Sequence, residues 1–421
     1  MDLIVKAFNI GNVALLCVFA LIYAYQLFFA ILALVKRPRV PKGDRIHPLA
    51  VLVAARNEEK VIPYLLKSLD AQEYPKESYR VFVVADNCTD RTAEVARSCG
   101  ATVFERNDPE HIGKGYAMEF LLRSIDESEG ADAFDAYVVF DADNLAEPNF
   151  LTEINKVYDG GSDVIVAYRN AKNYGDNWIS AGHGLWFIRE ASTLNAARSI
   201  LGQGCVLAGT GFLFSRKVKE LHGGWPFHLL TEDAEFMIES SLAGYPTAYA
   251  PDAEFYDEQT SSLKISLRQR LRWAKGGIQV FRKYWRPLLR SALRGNATSL
   301  EQLICIAPAY VMMTAAFVFD AVCVTAATVA GRFWEIAPVL FFLLASLSVC
   351  IVFFGSLTTF SQWKKIHAPG WKKIFYIFTF IPFMLTYIPI ALCALILPVS
   401  WKPVPHTSHK GLEDVRKDEK M

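Results

Sequence analysis

Four long apolar stretches constrain the fold of this 421-residue chain more than any other feature of its sequence. They lie at Ile10–Val35, Leu303–Ala330, Ala337–Phe360 and Ile374–Val399, and a helix needs roughly 20 apolar residues to cross a bilayer. Asp320 lies inside the second stretch, where an acidic side chain either has a functional role or faces water or a neighbouring helix. The sequence therefore predicts an integral membrane protein with one span before, and three spans after, a polar middle region.

Basic residues beside these stretches predict the orientation in the membrane. The first stretch is followed by Lys36, Arg37, Arg39, Lys42 and Arg45. The last two are separated by a loop with Lys364, Lys365, Lys372 and Lys373. Segments rich in Lys and Arg stay in the cytoplasm, whereas a secretory signal has its basic residues before a shorter apolar core. We therefore expect a multi-pass plasma-membrane protein with a cytoplasmic middle region and both termini outside, although Pro382 and Pro389 leave open a re-entrant or broken last span.

Charge and cysteine content exclude several classes of function. The net charge is +1, so nothing global indicates a nucleic-acid partner, and the sequence points to no particular protein partner. The eight cysteines include no CxxC pair, which argues against a zinc cluster or a disulfide framework. The informative charges are therefore local.

The middle region, residues 46–260, alternates apolar runs with helical patterns. The predicted strands are Leu49–Ala55, Tyr79–Ala85, Ala101–Phe104 and Ala136–Phe140. The predicted helices between them are Val61–Leu69, Thr89–Cys99 and Lys114–Ile125. This rhythm predicts an α/β fold with a doubly wound parallel sheet, in which ligands bind beyond the carboxyl ends of the strands.

Acidic side chains follow two of these strands. Asp141 and Asp143 come directly after the fourth strand, where two carboxylates could share a divalent cation with phosphate oxygens; a solvated loop is the alternative interpretation. Asp86 follows the second strand and could accept hydrogen bonds from a nucleobase or ribose. It could also cap the next helix, unless Asp90 does so.

Two further motifs stand at predicted helix starts. Gly113-Lys114-Gly115 could form a concavity that binds an anion, or it could be a structural turn. Glu232 and Asp233 open the helix Ala234–Leu242, and a carboxylate held ionised there suits a general base. Ordinary capping by Thr231 is the alternative.

A basic amphipathic segment, Leu263–Leu293, precedes the last three apolar stretches. It carries Arg268, Arg270, Arg272, Lys275, Arg282, Lys283, Arg286 and Arg290. Such a segment is typical of a helix on the membrane surface. Its Gln269-x-x-Arg272-Trp273 element could also contact a ligand, since an arginine can bind a diphosphate.

The order of these motifs resembles the membrane-bound branch of the family-2 inverting glycosyltransferases, which includes cellulose, chitin and hyaluronan synthases. The resemblance covers residues 46–400 and implies a GT-A nucleotide-diphospho-sugar transferase fold, with Mg²⁺ or Mn²⁺ as cofactor and a UDP-sugar as donor. It implies these donor-binding residues: Arg56, Glu58, Asp86, Lys114, Asp141, Gln269 and Arg272. Arg56, Glu58 and Asp86 would contact the nucleoside, while Asp143 and Asp141 would hold the metal.

The resemblance also assigns the acceptor side. Asp233 would be the general base, Trp273 would stack on an acceptor sugar, and Glu232, Gly209 and Thr210 would lie beside the acceptor. Two patterns depart from the family. Ala54-Ala55-Arg56-Asn57-Glu58 replaces the commoner Pro-x-Tyr-Asn-Glu, and Asp86-Asn87 replaces a frequent Asp-Asp or Asp-Gly.

These inferences predict five regions and a preferred activity. The regions are an anchor with its basic flank (1–45), a catalytic domain (46–260), interfacial helices (261–300), three spans (301–400) and a polar tail (401–421). We expect a hexosyl- or N-acetylhexosaminyl-transferase that acts on a saccharide acceptor, as polysaccharide synthases do. The alternative is transfer of one sugar to a lipid such as a polyprenyl phosphate, a diacylglycerol or a ceramide. A transporter or nucleotide-binding scaffold is a third possibility, and four spans without repeats argue against a transporter.

Overall fold

The computed structural model describes residues 2–39, 41, 43–306, 308–406 and 408–417. Lys42 of the basic flank, and Thr407 and residues 418–421 of the predicted tail, lie outside the described residues.

One mixed sheet forms the centre of the middle region. Its strands are β1 (Leu49–Ala55), β2 (Tyr79–Asp86), β3 (Thr102–Arg106), β4 (Ala136–Asp141), β5 (Leu145–Ala146), β6 (Val164–Ala171), β7 (Phe212–Ser215) and β8 (Ala248–Asp257). Within the described residues their order is β3-β2-β1-β4-β7-β6-β8-β5. The four predicted strands, β1 to β4, are parallel to one another, which confirms that part of the expected sheet.

The second half of the sheet departs from the parallel expectation. β7 runs antiparallel to both β4 and β6, while β6 and β8 are parallel. β7 has only four residues, and the chain reaches it after a long helical excursion from Trp178 to Ile200. That excursion lets the chain enter the sheet from the opposite end. The fold is a Rossmann-like sheet in which β7 is antiparallel to both of its neighbours and the edge strand β5 is antiparallel to β8.

Helices cover both faces of the sheet. They are α3 (Ile62–Asp70), α4 (Thr92–Ser98), α5 (Lys114–Glu129), α6 (Phe150–Asp159), α9 (Arg216–His222) and α10 (Glu232–Leu242). Along β1, Val51 and Val53 pack with residues of α3, α4 and α6, whereas Ala50 and Leu52 pack with α5, α9 and α10. This double burial explains why β1 is a continuous apolar run rather than an alternating one.

The remaining helices join the sheet to the apolar segments. They are α1 (Asp2–Tyr23), α2 (Tyr25–Val35), α7 (Trp178–Arg189), α8 (Ala196–Ile200), α11 (Leu263–Leu293), α12 (Ala297–Ile306), α13 (Pro308–Val329), α14 (Phe333–Ser361), α15 (Gly370–Leu385), α16 (Tyr387–Ile396) and α17 (Leu412–Lys417). A π-helical turn, Glu190–Asn195, links α7 to α8. α11 has the predicted bounds, and it packs against α10, α12 and α16.

Four segments of the described chain are long and apolar enough to cross a membrane: Val5–Val35, Val311–Val329, Phe333–Ser361 and Gly370–Ile396. They overlap the four predicted stretches, although the second begins at Val311 rather than Leu303, which belongs to α12. Within them, the Asn12 side-chain amide donates a hydrogen bond of 2.9 Å to Asp320. Asp320 is half-buried, and of its interpretations the structure supports contact with a neighbouring helix.

A larger share of the last of these segments is buried than of the other three. Its helices break at Thr386, and Phe383 of α15 packs on Leu185 of α7. The loop before it contacts the α/β domain, with Lys365 Nζ 2.8 Å from Glu254.

The tail after this segment also returns to the α/β domain. Val415 of α17 is buried against Leu145 and Tyr256 of the sheet. The chain therefore contacts that domain both before and after Gly370–Ile396. The predicted position of the C terminus outside the cell, and the alternative of a broken or re-entrant last span, both stay predictions.

Candidate active site

A cleft of about 440 Å³ opens at the carboxyl ends of β1, β2 and β4. It brings together nearly all of the residues singled out from the sequence. Its lining includes Arg56, Glu58, Asp86, Lys114, Asp141, Asp143, Gly209, Glu232, Asp233, Gln269, Arg272 and Trp273. Side chains separated by more than 200 positions in the sequence therefore share one cavity.

Thr210 does not join the other predicted residues. Its side chain is only 1% exposed, and its hydroxyl accepts a 2.9 Å hydrogen bond from the backbone N–H of Asp141 while also bonding Asn144. These hydrogen bonds hold the end of β4 in place. The structure therefore does not support the predicted contact of Thr210 with an acceptor. The neighbouring Gly209 does reach the cleft, where a positive φ of 78° favours glycine.

Two groups of acidic and histidine side chains could hold a cation. The ligand atoms of Asp141, Asp143 and Asp257 lie within 4.8 Å of one another, and so do those of Asp143, Glu258 and His406. The first group is all oxygen, which fits the preference of Mg²⁺ and Mn²⁺ for carboxylates. Because Asp143 belongs to both groups, it is the residue best placed to hold a metal.

Asp143 is held by the C-terminal tail. Its carboxylate lies 3.1 Å from Nδ1 of His406 and accepts a 3.3 Å hydrogen bond from the backbone N–H of Glu258. Burial would raise the pKa of Asp143, but the facing His406 imidazolium outweighs it and lowers the pKa to about 2. For His406, burial works against the charged form, but the surrounding carboxylates raise its pKa to about 10.

Lys114 lies in the middle of the cleft floor. Its ammonium forms an ion pair with Asp141 and donates a 2.7 Å hydrogen bond to the carbonyl of Gly209. Gly113 precedes it with a φ of 147°, so the glycine in this motif has a backbone conformation that few other residues adopt. The predicted turn and the predicted charged group are therefore both present.

Glu232 and Asp233 begin α10 inside the cleft. Thr231 precedes them without a capping hydrogen bond, so the capping interpretation of Thr231 is wrong. Burial, together with the neighbouring Asp233, raises the pKa of Glu232 to about 7. Burial also raises the pKa of Asp233, while backbone N–H groups, Lys114 and Arg272 act against that rise. The paired carboxylates thus sit where at least one can accept a proton near neutral pH.

The residues predicted to contact a nucleoside have partners that the sequence did not indicate. Arg106 donates a 2.6 Å hydrogen bond to Asp86. Asp90 accepts a 3.0 Å bond from the backbone N–H of Thr92, so Asp90 caps this helix and Asp86 does not. Burial raises the pKa of Glu58 to about 8, against the effect of His406.

The Gln269-x-x-Arg272-Trp273 element lies along one wall of the cleft. Arg272 donates a 2.8 Å hydrogen bond to the carbonyl of Leu230, just before α10. The ring of Trp273 packs edge to face with His183 and Phe187, at centroid distances of 5.7 and 5.8 Å. Gln269 lines the same wall.

Several residues of the cleft were not predicted. Asp257 and Glu258 stand at the end of β8, and Arg169 of β6 pairs with Asp257. β8 contains Pro251, Asp252 and Glu254, so it lacks the continuous apolar run that precedes Asp141. Trp401 and His406 come from the tail, where no sequence pattern marks them; the guanidinium of Arg56 lies 5.3 Å from the Trp401 ring.

The opposite end of the cleft is apolar. Leu207, Met237 and Ile306 belong to one buried cluster and line the cavity with Gln302 of α12. Cys305, one position before Ile306, lies 3.7 Å from the hydroxyl of Tyr25 in the first apolar segment. The cleft therefore runs from a charged end at the sheet to an apolar end beside the candidate membrane spans.

Comparison with known proteins identifies the family. The model described as "Glycosyltransferase like family 2" matches residues 47–276, which is more than half of the chain. A β-monoglucosyldiacylglycerol synthase from Nostoc sp. is 29% identical over 279 residues, covering 64% of this chain and 57% of that protein. Cellulose synthase 1 from Komagataeibacter xylinus is 25% identical over 303 residues, covering 68% of this chain and 18% of that protein. The chain thus spans little more than half the length of the first of these relatives.

A solved structure supports the same assignment at the level of the fold. The mannosyltransferase PcManGT from Pyrobaculum calidifontis, solved with GDP-Man and Mn²⁺, superposes with a TM-score of 0.57 at 18% identity. The alignment covers 91% of this chain and 98% of that one. The predicted GT-A fold and the predicted family are therefore confirmed, and the chain belongs to the family-2 glycosyltransferases.

Proposed function

We propose that this glycosyltransferase moves one sugar from a nucleotide-diphospho-sugar to a hydroxyl of a membrane lipid, with a divalent cation and inversion of configuration. One observation carries the proposal: a single cleft has carboxylates at one end and, at the other, an apolar wall beside the first apolar segment. A donor with several negative charges suits the first end, and an acceptor with a hydrocarbon tail suits the second.

The donor would bind at the carboxyl ends of β1 and β2. Arg56, Glu58 and Asp86 would contact the nucleoside, with Trp401 available as a flat surface for the base. Lys114 and Arg272 would balance the diphosphate charge, and Gln269 would contact the donor. We propose UDP-sugar as the donor from the family resemblance, although the solved mannosyltransferase carries GDP-Man.

The cofactor would be Mg²⁺ or Mn²⁺ held by Asp143 together with Asp141 or Asp257. Such a cation neutralises charge on the diphosphate as it leaves. The Mn²⁺ in the related mannosyltransferase supports this choice. His406 contacts Asp143 at present, so it would either join the ligands or give up this contact.

Asp233 would act as the general base. The acceptor hydroxyl must lose its proton as it attacks the anomeric carbon, and a carboxylate within hydrogen-bond reach accelerates this step about 10²–10⁴-fold. Burial raises the pKa of Asp233 and makes it a stronger base. Attack from the side opposite the departing diphosphate inverts the configuration in a single displacement.

The lipid acceptor replaces the saccharide acceptor as the preferred interpretation. Leu207, Met237 and Ile306 offer no groups that would hydrogen-bond a second sugar, and one relative is named for a glucosyldiacylglycerol product. A saccharide acceptor stays the second candidate, because Trp273 lines the cleft and could stack on a sugar. The cellulose synthase relative also favours it.

The protein would act at the cytoplasmic face of the plasma membrane. The Lys-rich loop between α14 and α15 packs against the α/β domain through Lys365, whose Nζ lies 2.8 Å from Glu254. Lys372, in the first turn of α15, donates a 2.7 Å hydrogen bond to the carbonyl of Gly175. Because positive loops stay in the cytoplasm, these contacts favour a cytoplasmic catalytic domain and tail. We keep the proposed regions 46–260 and 261–300 as catalytic domain and interfacial helices.

A donor screen tests the proposal. Purified protein in lipid nanodiscs would receive radiolabelled UDP-glucose, UDP-galactose, UDP-N-acetylglucosamine or GDP-mannose with Mn²⁺ or Mg²⁺, and diacylglycerol or ceramide as acceptor. We expect one labelled product that partitions into organic solvent and carries a single sugar. A labelled ladder or high polymer in the aqueous phase would support the saccharide acceptor instead, and absence of transfer from every donor would contradict the proposal.

A further inference from the structure

The basic residues of α11 fall into two groups according to what they contact. In the first half of the helix the protein itself engages them. Arg270 is fully buried, and Arg272 donates a hydrogen bond to a backbone carbonyl just before α10. Lys275 donates a 3.1 Å hydrogen bond to the carbonyl of Ala394 in α16. The first half of α11 is therefore committed to contacts within the protein.

The second half of α11 exposes a row of arginines. Four of them recur at every fourth position and all are exposed: Arg282, Arg286, Arg290 and Arg294. Residues four apart share one side of a helix. Within the part of the chain that the structure describes, none of the four lies at ion-pair distance from a carboxylate, whereas Lys283 between them pairs with Glu235. This arginine row is a line of positive charge without a protein counter-charge.

An apolar row lies beside the arginine row on the same half of the helix. Trp285, Leu289 and Leu293 also recur at every fourth position, and they are 37%, 38% and 80% exposed. Tyr284 and Leu288 are buried in the core of the α/β domain, so they mark the inner side of the helix. Exposed Trp and Leu next to exposed Arg are typical of a helix that lies in a membrane–water interface.

The apolar row continues a face that already contacts a membrane segment. Ala274 and Ile278, in the first half of α11, pack in one buried cluster with residues of α16, which belongs to the candidate span Gly370–Ile396. Trp285 and Leu289 follow Ile278 by seven and eleven positions. At 3.6 residues per turn, these spacings return the helix to within about 20° of the same face. One side of α11 therefore contacts a membrane segment in its first half and is exposed in its second half.

The end of α11 is tied to a second candidate span. After a turn at Gly295, α12 packs back on α11 and leads into Val311–Val329. Both halves of α11 are thus connected to apolar segments. An exposed face between two such connections is held near a bilayer surface.

We propose that the second half of α11 binds the surface of an anionic bilayer, with the apolar row in the headgroup region and the arginine row on lipid phosphates. A guanidinium can give a phosphate two parallel hydrogen bonds, and arginines near a membrane attract anionic lipids. A zwitterionic headgroup cancels its phosphate charge with its own ammonium, so a phospholipid of net negative charge is preferred. These residues lie outside the cleft lining, and the inference does not depend on the proposed function.

Photocrosslinking tests the apolar row. The full chain, with p-benzoylphenylalanine in place of Leu289, would be reconstituted in vesicles of equal parts phosphatidylcholine and phosphatidylglycerol, irradiated, and weighed by mass spectrometry. We expect phospholipid adducts in which phosphatidylglycerol exceeds phosphatidylcholine at least threefold. The same residue in place of Leu221, a 49% exposed leucine of α9, is the matched control and should give at most one tenth of that adduct. A crosslink to a second copy of the chain, or no lipid adduct, would overturn the inference.

Charge removal tests the arginine row. Three substitutions would be combined in the chain that carries the crosslinker: Arg282→Gln, Arg286→Gln and Arg290→Gln. The lipid adduct should persist, because the apolar row is unchanged, while the ratio of phosphatidylglycerol to phosphatidylcholine falls close to one.

A matched combination removes the same charge from exposed positions on α3, α4 and α5, through Lys67→Gln, Arg97→Gln and Arg123→Gln. This control should keep the ratio of the unsubstituted chain. A ratio that survives loss of the three arginines, or that falls equally in both combinations, would mean that the arginine row does not select the lipid.

Discussion

The two ends of the cleft are built on different principles. At the sheet end, charged side chains are held by opposite charges: Lys114 by Asp141, Asp86 by Arg106 and Asp143 by His406. At the other end, apolar side chains form the wall. Prearranged charge suits chemistry at a phosphorylated leaving group, whereas a smooth apolar wall suits selection by shape. The difference suggests that the sheet end carries out the reaction and that the apolar end selects the acceptor.

The largest effect should follow loss of the proposed base. Asp233→Asn removes the proton acceptor but keeps the size of the side chain, so kcat should fall about 10²–10⁴-fold with the donor KM within about threefold. Steady-state transfer assays would measure both. Asp252→Asn, on an exposed position of β8 outside the cleft, should behave as wild type. A kcat for Asp233→Asn within tenfold of wild type would remove Asp233 from the mechanism.

The second-largest loss of activity should follow removal of the metal. Chelation by EDTA followed by gel filtration should lower transfer about 100-fold or more, because a cation is worth several kcal/mol at a leaving diphosphate. Added Mn²⁺ or Mg²⁺ should restore the rate. Asp143→Asn should need a higher metal concentration for half-maximal rate than wild type. Full activity after chelation would show that the charged end works through Lys114 and Arg272 alone.

A change in the C-terminal tail should weaken donor binding at the sheet end of the cleft. It should leave acceptor binding at the apolar end unchanged. Trp401→Ala removes a flat ring beside Arg56, and because base stacking contributes about 1–3 kcal/mol, the donor KM should rise about tenfold with the acceptor KM unchanged. Trp371→Ala is the matched control, since Trp371 is 65% exposed and lies outside the cleft. A rise in the acceptor KM instead would mean that the tail contacts the apolar end of the cleft.

The smallest expected effect is a shift in pH dependence. Asp233 must be ionised to act, so kcat should fall as the pH drops through its pKa, which burial raises above the ordinary value for Asp. Lys114 acts against that rise, so Lys114→Met should raise the pKa further. The acid limb of the kcat–pH profile should therefore move to higher pH. A limb that stays in place or moves to lower pH would contradict this electrostatic link.

The charged end was largely predictable from the sequence because its signals are local. Acidic residues follow buried strands at Asp86 and Asp141, and parallel strands bring such ends together. β1 and α11 have the bounds that their patterns predicted. Asp257 ends β8, but Pro251, Asp252 and Glu254 interrupt the apolar pattern of that strand, so the pattern does not mark it.

The rest depends on long-range packing that no local pattern encodes. β7 is four residues long, and its direction is set by the helical excursion before it. His406 reaches Asp143 because the tail after Gly370–Ile396 packs on the α/β domain. The sequence predicted that Thr210 lies beside the acceptor, but its hydroxyl bonds the backbone of β4.

The most direct test of the account is a structure of the protein with Mn²⁺ and a nucleoside diphosphate, with Mn²⁺ located by anomalous scattering. The account predicts one Mn²⁺ within direct ligand distance of Asp143, the diphosphate between it and Lys114, and Asp233 facing the open space toward the apolar end of the cleft. Mn²⁺ and nucleotide bound at separate places, or Asp233 turned away from the diphosphate, would contradict it.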